Sequence, residues 1–364
     1  MLPEYQRVLE LTRGNVVESI HLGAIAVVDV YGRLVAWYGN PDVVTFMRSS
    51  AKPFQALPLI EHKGDEVFVL TDEEIAIICA SHSGTDEHVI LVQSLQSKIG
   101  IREAELLCGT HPPYHEPTAI ALRDRKEEPT PNRHNCSGKH SGMLFFIELL
   151  KQNNPGVSGG SLNDLPYIDP NHPIQQEILT TFAAMCQLPP ERVEVGIDGC
   201  SAPNFAVPLR NAAFAFARLC DPDVGKVFPG DRAKACRKIT KAMMNCPFMV
   251  AGPGRFDTCL MESAKGKIVS KGGAEGYQGI GLMPGALGKG TPAMGIALKI
   301  SDGDDRKCVR SAVTLEVLRQ LGALTPSVQQ AMKKFGPSFP IYNWRKIVVG
   351  EAKPVFQLKF SGLT

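Results

Sequence analysis

Ser49 stands three positions before Lys52 in the stretch Met47-Arg48-Ser49-Ser50-Ala51-Lys52-Pro53-Phe54-Gln55. On a helix, positions i and i+3 share a face one turn apart, so the lysine amine can reach the serine hydroxyl. An unprotonated amine there takes the serine proton and leaves an alkoxide-like nucleophile. Ser-x-x-Lys is common, and a capping serine followed by a solvated lysine also produces it. The flanks favour a helix start. Pro53 suits a first turn, and Phe54, Leu57 and Ile60 follow at helical spacing. A serine at a helix start also lies where backbone N–H groups favour a developing oxyanion. Two further elements come downstream in order. Ser81-His82-Ser83 stands where a helix should end. Lys271-Gly272-Gly273 stands at the end of a strand, with Lys265 and Lys267 as nearby competitors. Taken singly, these are a polar turn and a surface lysine. Together they supply a second serine and a second lysine. A lysine base must be unprotonated, which burial and a neighbouring cation both favour.

The elements that must position these groups can be read along the chain. The segment 18–40 reads as strands, with Gly23–Asp29 and Leu34–Trp37 joined by a turn at Tyr31-Gly32-Arg33. A helix from Ser49 to about His62, bent at Pro58, carries the first pair. Thr71-Asp-Glu-Glu74 is a capping box opening a helix that stops near Gly84. Thr85 or Asp86 caps another helix reaching Gly100, with Val89, Val92, Leu95 and Ile99 on its face. Residues 108–139 lack periodicity, and a helix follows from Met143 to Leu150. A second irregular stretch, Asn154 to Pro173, reads as a lid or a connection. Helices are expected at Pro173–Leu188, Pro203–Cys220, Asp231–Asn245 and Cys308–Leu321. Strands are expected at Val193–Ile197, Lys267–Ser270, Tyr277–Leu282 and Ala293–Ile300, with a β-like tail. Terminal strands around central helices predict an α+β (mixed α/β) fold, an antiparallel sheet with packed helices. The reading is of one domain over 1–364, with a helical subregion near 85–245.

Composition narrows the function classes. The chain has 364 residues, 44% hydrophobic, with a formal net charge of +2, so no basic surplus points to nucleic acid. No run of about 18 apolar residues exists to span a membrane. The first residues lack the apolar region of a signal peptide. Ten scattered cysteines fit a reducing compartment. Cys136-Ser-Gly-Lys139-His140 and Asp198-Gly-Cys200 supply at most half of a structural zinc site, and by composition alone these are ordinary cysteines. Arg133 stands where a phosphate-binding loop ending at Gly138-Lys139 needs glycine, which excludes that motif. Gly252-Pro-Gly254 is too short a signal for a nucleotide.

The three-part arrangement is similar to the Ser-x-x-Lys, Ser-x-Asn and Lys-Thr-Gly elements of serine β-lactamases and penicillin-binding proteins. A more specific resemblance rests on six stretches. They are Arg48-Ser-Ser-Ala-Lys-Pro-Phe-Gln55, Ala80-Ser-His-Ser-Gly84, Cys108-Gly-Thr-His-Pro112, His134-Asn-Cys-Ser-Gly-Lys-His-Ser-Gly-Met143, Asp198-Gly-Cys-Ser-Ala-Pro203 and Lys271-Gly-Gly-Ala-Glu-Gly276. Together they resemble class 3 L-asparaginases, the Ser–Lys, zinc-containing type. The resemblance implies a fold similar to serine β-lactamases and glutaminases, a cytoplasmic homodimer, and hydrolysis of L-asparagine to L-aspartate and ammonia. By motif it implies Ser49 as nucleophile, Lys52 as its base, and Ser81 with Lys271 as a second Ser–Lys pair. It implies zinc, one per subunit, on Cys136, Lys139 and Cys200, in an orienting rather than a Lewis-acid role. It places Arg48, His140 and Asp198 beside the substrate. The stretch from Asn154 to Pro170 is longer than that pattern. The rival readings are another Ser–Lys amidohydrolase, directed at glutamine or a β-lactam, and a non-catalytic amino-acid-binding protein.

Overall fold

The computed structural model describes residues 4–153, 162 and 164–362. The lid expected over Asn154 to Pro173 falls in large part on residues 154–161 and 163, outside the described residues. The chain divides into two compact units. One comprises the chain up to Ser50, Val207–Val224, and the chain from Cys259 onward. The other comprises Ala51–Ala206 and Gly225–Thr258.

The first unit is built on an antiparallel sheet. Its strands run in the spatial order Phe339–Tyr342, Val348–Pro354, Gln6–Arg13, Val16–Asp29, Met294–Ile300, Tyr277–Leu282, Ile268–Gly272. Val16–Asp29 is the central strand, buried from Gly23 to Asp29, and pairs Gly23 with Ile300 and Asp29 with Met294. Its far end also pairs with Leu34–Tyr38 through the expected turn. The helix Leu209–Cys220 lies against this sheet. A Cβ on Gly295 would stand 1.7 Å from the Ala213 carbonyl oxygen, and one on Gly279 2.1 Å from the Phe216 ring. Only glycine permits so close an approach of helix and strand. Gln6–Arg13 has no clean alternation to announce it in the sequence, since Val8 and Leu9 are adjacent and both buried.

The second unit is mainly helical. The helix Ser137–Asn153 buries every residue from Ser137 to Met143. It crosses Asp72–Ile78 closely. A Cβ on Gly138 would fall 2.1 Å from the Ile77 carbonyl oxygen, and one on Gly142 2.5 Å from Ile78. The glycines of Cys136-Ser-Gly-Lys-His-Ser-Gly are therefore packing residues. They hold the Lys139 turn against the helix that leads to Ser81. The capping box at Thr71 and Glu74 forms as expected, with both reciprocal hydrogen bonds present. Among the described residues no helix is long and apolar enough to cross a membrane.

Several expected elements differ in form. The helix over 49–62 is three pieces: a 3₁₀ turn Arg48–Ala51, then α-helices Lys52–Gln55 and Leu57–Glu61, separated at Ala56. Pro58 has no N–H to continue the ladder, so the break falls before it rather than as a bend at it. The helix over Pro203–Cys220 is a buried strand, Pro203–Pro208, followed by the helix Leu209–Cys220. A continuous apolar run does not distinguish a buried strand from a buried helix, and Pro208 starts the helix anew. Residues 108–139 contain the helix Glu116–Asp124, which buries only Leu122 and so leaves no apolar stripe to read. The helix Asp86–Ile99 buries His88, Val92, Leu95 and Gln96, two of them polar, in place of Val89 and Ile99.

Candidate active site

Lys52 and Ser81 meet in the helical unit. The Lys52 side chain is 1% exposed. Its Nζ donates to the Ala80 carbonyl at 2.6 Å and to the Asn135 carbonyl at 3.4 Å, and lies 3.1 Å from Ser81 Oγ. Two N–H bonds to carbonyls leave the remaining direction of the amine facing a serine hydroxyl. These three bonds hold the buried amine in place and away from solvent.

The loop bearing Ser81 is bolted down. The Ser81 N–H bonds the Val250 carbonyl, and Ser83 Oγ donates to the Ala251 carbonyl at 2.7 Å. His82 is fully buried and neutral in one assigned tautomer. Its Nδ1 accepts from the Gly84 N–H at 3.1 Å. Its Nε2 donates to Ser137 Oγ at 2.8 Å, and Ser137 in turn donates to the Asn132 carbonyl. Burial, then the charges of His88 and Lys52, holds His82 well below the ordinary histidine range. His88 stacks on His82 and on Phe248, and burial brings it down to about 4.

A thiol cluster lies in the same unit. Lys139 Nζ donates to Cys200 Sγ at 3.0 Å, and Cys136 is buried beside them. A hydrogen bond with Cys200 holds the Cys136 thiol well below its usual range against the opposing effect of burial, with help from Lys52 and Lys139. Burial works against the Lys139 charge, yet the Cys200 and Cys136 sulfurs raise its pKa. Cys108 is pushed up to about 12 by burial and by Cys136 and Cys200. His140 Nδ1 and Tyr167 Oη are hydrogen-bonded at 2.8 Å, and that oxygen accepts from the Leu107 N–H. His140 Nε2 is buried with no hydrogen-bond partner among the described residues, and the Cys200 sulfur acts on this imidazole. Asp198 caps its own turn, accepting from the Gly199 N–H at 2.8 Å.

The other expected residues belong to the sheet unit. Ser49 is half-buried in the 3₁₀ turn. The Ser50 N–H donates to the Met47 carbonyl. Lys271 is 1% exposed in the strand Ile268–Gly272, and its Nζ donates to the Gly272 carbonyl at 2.9 Å. Lys265 and Lys267 are exposed. Ser50 Oγ donates to the Lys271 carbonyl. Arg48 has φ +50° and lies 3.8 Å from the Glu275 carboxylate. Ser81 and Lys271, expected as a pair, belong to different units, and within its own unit the Ser81 hydroxyl is met by Lys52. Sequence reasoning gave no role to Tyr167, His82 or Asn135. The His-Ser pair of Ala80-Ser-His-Ser-Gly84 was the available signal for His82.

A family profile described as L-asparaginase II matches residues 9–354. The chain belongs to the L-asparaginase II family. As a member it is an amidohydrolase, an enzyme acting on a small-molecule substrate. No curated protein sequence matches it. Among solved structures, this family member is distantly similar to one described as Mglu, at 15% identity over 83% of this chain and 68% of that one, with a TM-score of 0.34. A probable glutaminase from Bacillus subtilis complexed with 6-diazo-5-oxo-L-norleucine gives 12% identity over 86% and 82%, with a TM-score of 0.35. Mglu in its native form in the presence of 4.3 M NaCl gives 15% identity over 83% of this chain and 62% of that one, with a TM-score of 0.35.

Proposed function

We propose that this amidohydrolase cleaves the side-chain amide of L-asparagine through an acyl-enzyme on Ser49. The observation that supports the reading is Lys52, a buried amine held by the Ala80 and Asn135 carbonyls and by the Ser81 hydroxyl, the residue given the proton-relay role. In the proposed reaction unprotonated Lys52 takes the Ser49 proton. Ser49 Oγ attacks the amide carbon, the C–N bond breaks, and the nitrogen leaves as ammonia with a proton returned through Ser81, which Lys271 poises. Water then attacks the β-aspartyl ester, and the reverse proton path restores Ser49. The family match supports amide hydrolysis, and the choice of asparagine follows the sequence resemblance. The homodimer and the cytoplasmic setting belong to the same proposal.

The test is ammonia release from L-asparagine and from L-glutamine at equal concentration. One methylene in a fitted pocket is worth about 10- to 200-fold. Asparagine should exceed glutamine by at least about 10-fold in kcat/KM. Equal or better turnover of glutamine would reassign the substrate, and no ammonia from either would remove the reading.

Zinc fits the donor set as a proposal. Among the described residues no three His, Cys, Asp or Glu side chains come together to hold a metal. The site would therefore depend on two thiols and an amine: Cys136, which is held toward its thiolate, Cys200, and Lys139. Bound there, the ion would supply fixed positive charge that orients His140 and Asp198 toward the charged groups of the substrate. Lys139 binds only after losing its proton, so zinc affinity should fall as pH falls. Cys200→Ser should lose bound zinc, measured by metal analysis of purified protein, and should raise KM more than it lowers kcat. Zinc retained at full stoichiometry would remove Cys200 from the ligand set.

A further inference from the structure

His111, in the stretch Cys108-Gly-Thr-His-Pro112, reaches the Lys52 amine through one residue, Asn135. All three belong to the helical unit. Both ring nitrogens of His111 are engaged. Nδ1 stands 2.6 Å from the Pro112 carbonyl, which can only accept, so the proton is on Nδ1. Nε2 is then an acceptor, and the Asn135 N–H donates to it at 3.2 Å. Asn135 Oδ1 lies 3.2 Å from the same nitrogen but has no proton to give. On its other side Asn135 offers its carbonyl, which accepts from Lys52 Nζ at 3.4 Å. That is the longest of the three Lys52 bonds, beside 2.6 Å to the Ala80 carbonyl and 3.1 Å to Ser81 Oγ. It is therefore the one most sensitive to where the Asn135 backbone is held. Asn135 lies between the 3₁₀ turn Pro131–Arg133 and the helix Ser137–Asn153, so no helical ladder takes up its N–H. The His111 ring does, and that ring is itself fixed. It stacks on Tyr114 with centroids 4.7 Å apart and 21° between the planes, and meets the His134 ring at 4.4 Å.

We infer that His111 is a positioning residue for Lys52: its Nε2 fixes the Asn135 backbone, and with it the carbonyl that orients the buried amine. This deepens the proposed reaction and rests on Lys52 as its base. An amine that takes and returns a proton must keep one direction through the cycle, and a misplacement of about 1 Å costs up to about 100-fold in rate. The alternative is packing alone, in which the imidazole serves only as a flat ring against Tyr114 and His134.

Two substitutions separate these roles. His111→Phe keeps a flat ring and removes the Nε2 acceptor. His111→Gln removes the ring and returns an acceptor, its Oε1, to the Asn135 N–H. In steady-state ammonia release His111→Phe should lower kcat by about 10- to 100-fold with KM within about threefold, because the bond holds the base and not the substrate. His111→Gln should exceed His111→Phe in kcat by at least about fivefold, the worth of one restored hydrogen bond. A Gln variant no better than the Phe variant, or an unchanged kcat in His111→Phe, overturns the inference and leaves packing. Amide hydrogen exchange reads the bond without turnover. The Asn135 N–H should exchange at least about fivefold faster in His111→Phe than in the wild type, with protection regained in His111→Gln. Unchanged Asn135 protection in His111→Phe overturns the inference as well. No ammonia from the wild type would sink the hydrolase reading alone, and the order of Asn135 exchange would still decide whether His111 holds this loop.

Discussion

Ser49→Ala lowers kcat for asparagine by at least about 10³-fold and leaves the fold intact. Removing a nucleophile from a unit of interacting groups costs three to six orders of magnitude, because the remaining groups cannot substitute for the covalent step. The stability cost is small, since Ser49 is half-buried in a 3₁₀ turn and alanine keeps its Cβ. Lys52→Met should lose comparable activity but behave differently on melting. Lys52 is enclosed, and its loss leaves the Ala80 carbonyl without its 2.6 Å partner. An unsatisfied buried acceptor costs about 1–3 kcal/mol. Single-turnover ammonia release and thermal melts separate the two effects. Near-normal release by Ser49→Ala would refute the nucleophile, and an unchanged melting temperature in Lys52→Met would refute the enclosed geometry.

Acidification should unfold the protein steeply below about pH 6.5, the ordinary histidine value. His82 and His88 are buried and neutral, and both have folded-state pKa values below the ordinary one, His88 at about 4. Between those values the unfolded chain binds protons that the folded chain refuses. Stability therefore falls as pH drops from 6.5, and the contribution of His88 stops growing below about 4. Each such group costs about 1.4 kcal/mol per pH unit, so the pair reaches about 2.7 kcal/mol per unit at its steepest. Urea midpoints at pH 7, 6 and 5 measure this. His88→Gln should flatten the slope by roughly one proton, and an unchanged slope would show that His88 titrates normally in the fold.

These histidines also show where sequence reading stops. Local structure was legible: the Thr71–Glu74 capping box, the turn at Tyr31-Gly32-Arg33, and the strand running into Lys271. Each is set by neighbours within a few residues. Tertiary context decided the rest. Pro203–Pro208 is a strand because both faces are buried, which its apolar run alone does not reveal. His82 looked like part of a polar turn, yet it hangs the Ser81 loop on Ser137, 55 positions away. Tyr167 hydrogen-bonds His140 across 27 positions from a segment without periodicity. Lys52 meets Ser81 across 29 positions, and Gly138 and Gly142 pack the helix Ser137–Asn153 onto the helix that leads to Ser81. No spacing rule reaches that far.

The measurement closest to the central claim is covalent capture. Incubation with a diazoketone analogue of asparagine, followed by peptide mass mapping, should place one adduct on Ser49, block ammonia release in proportion to labelling, and fail on Ser49→Ala. An adduct on another residue, or equal labelling of Ser49→Ala, would contradict the account.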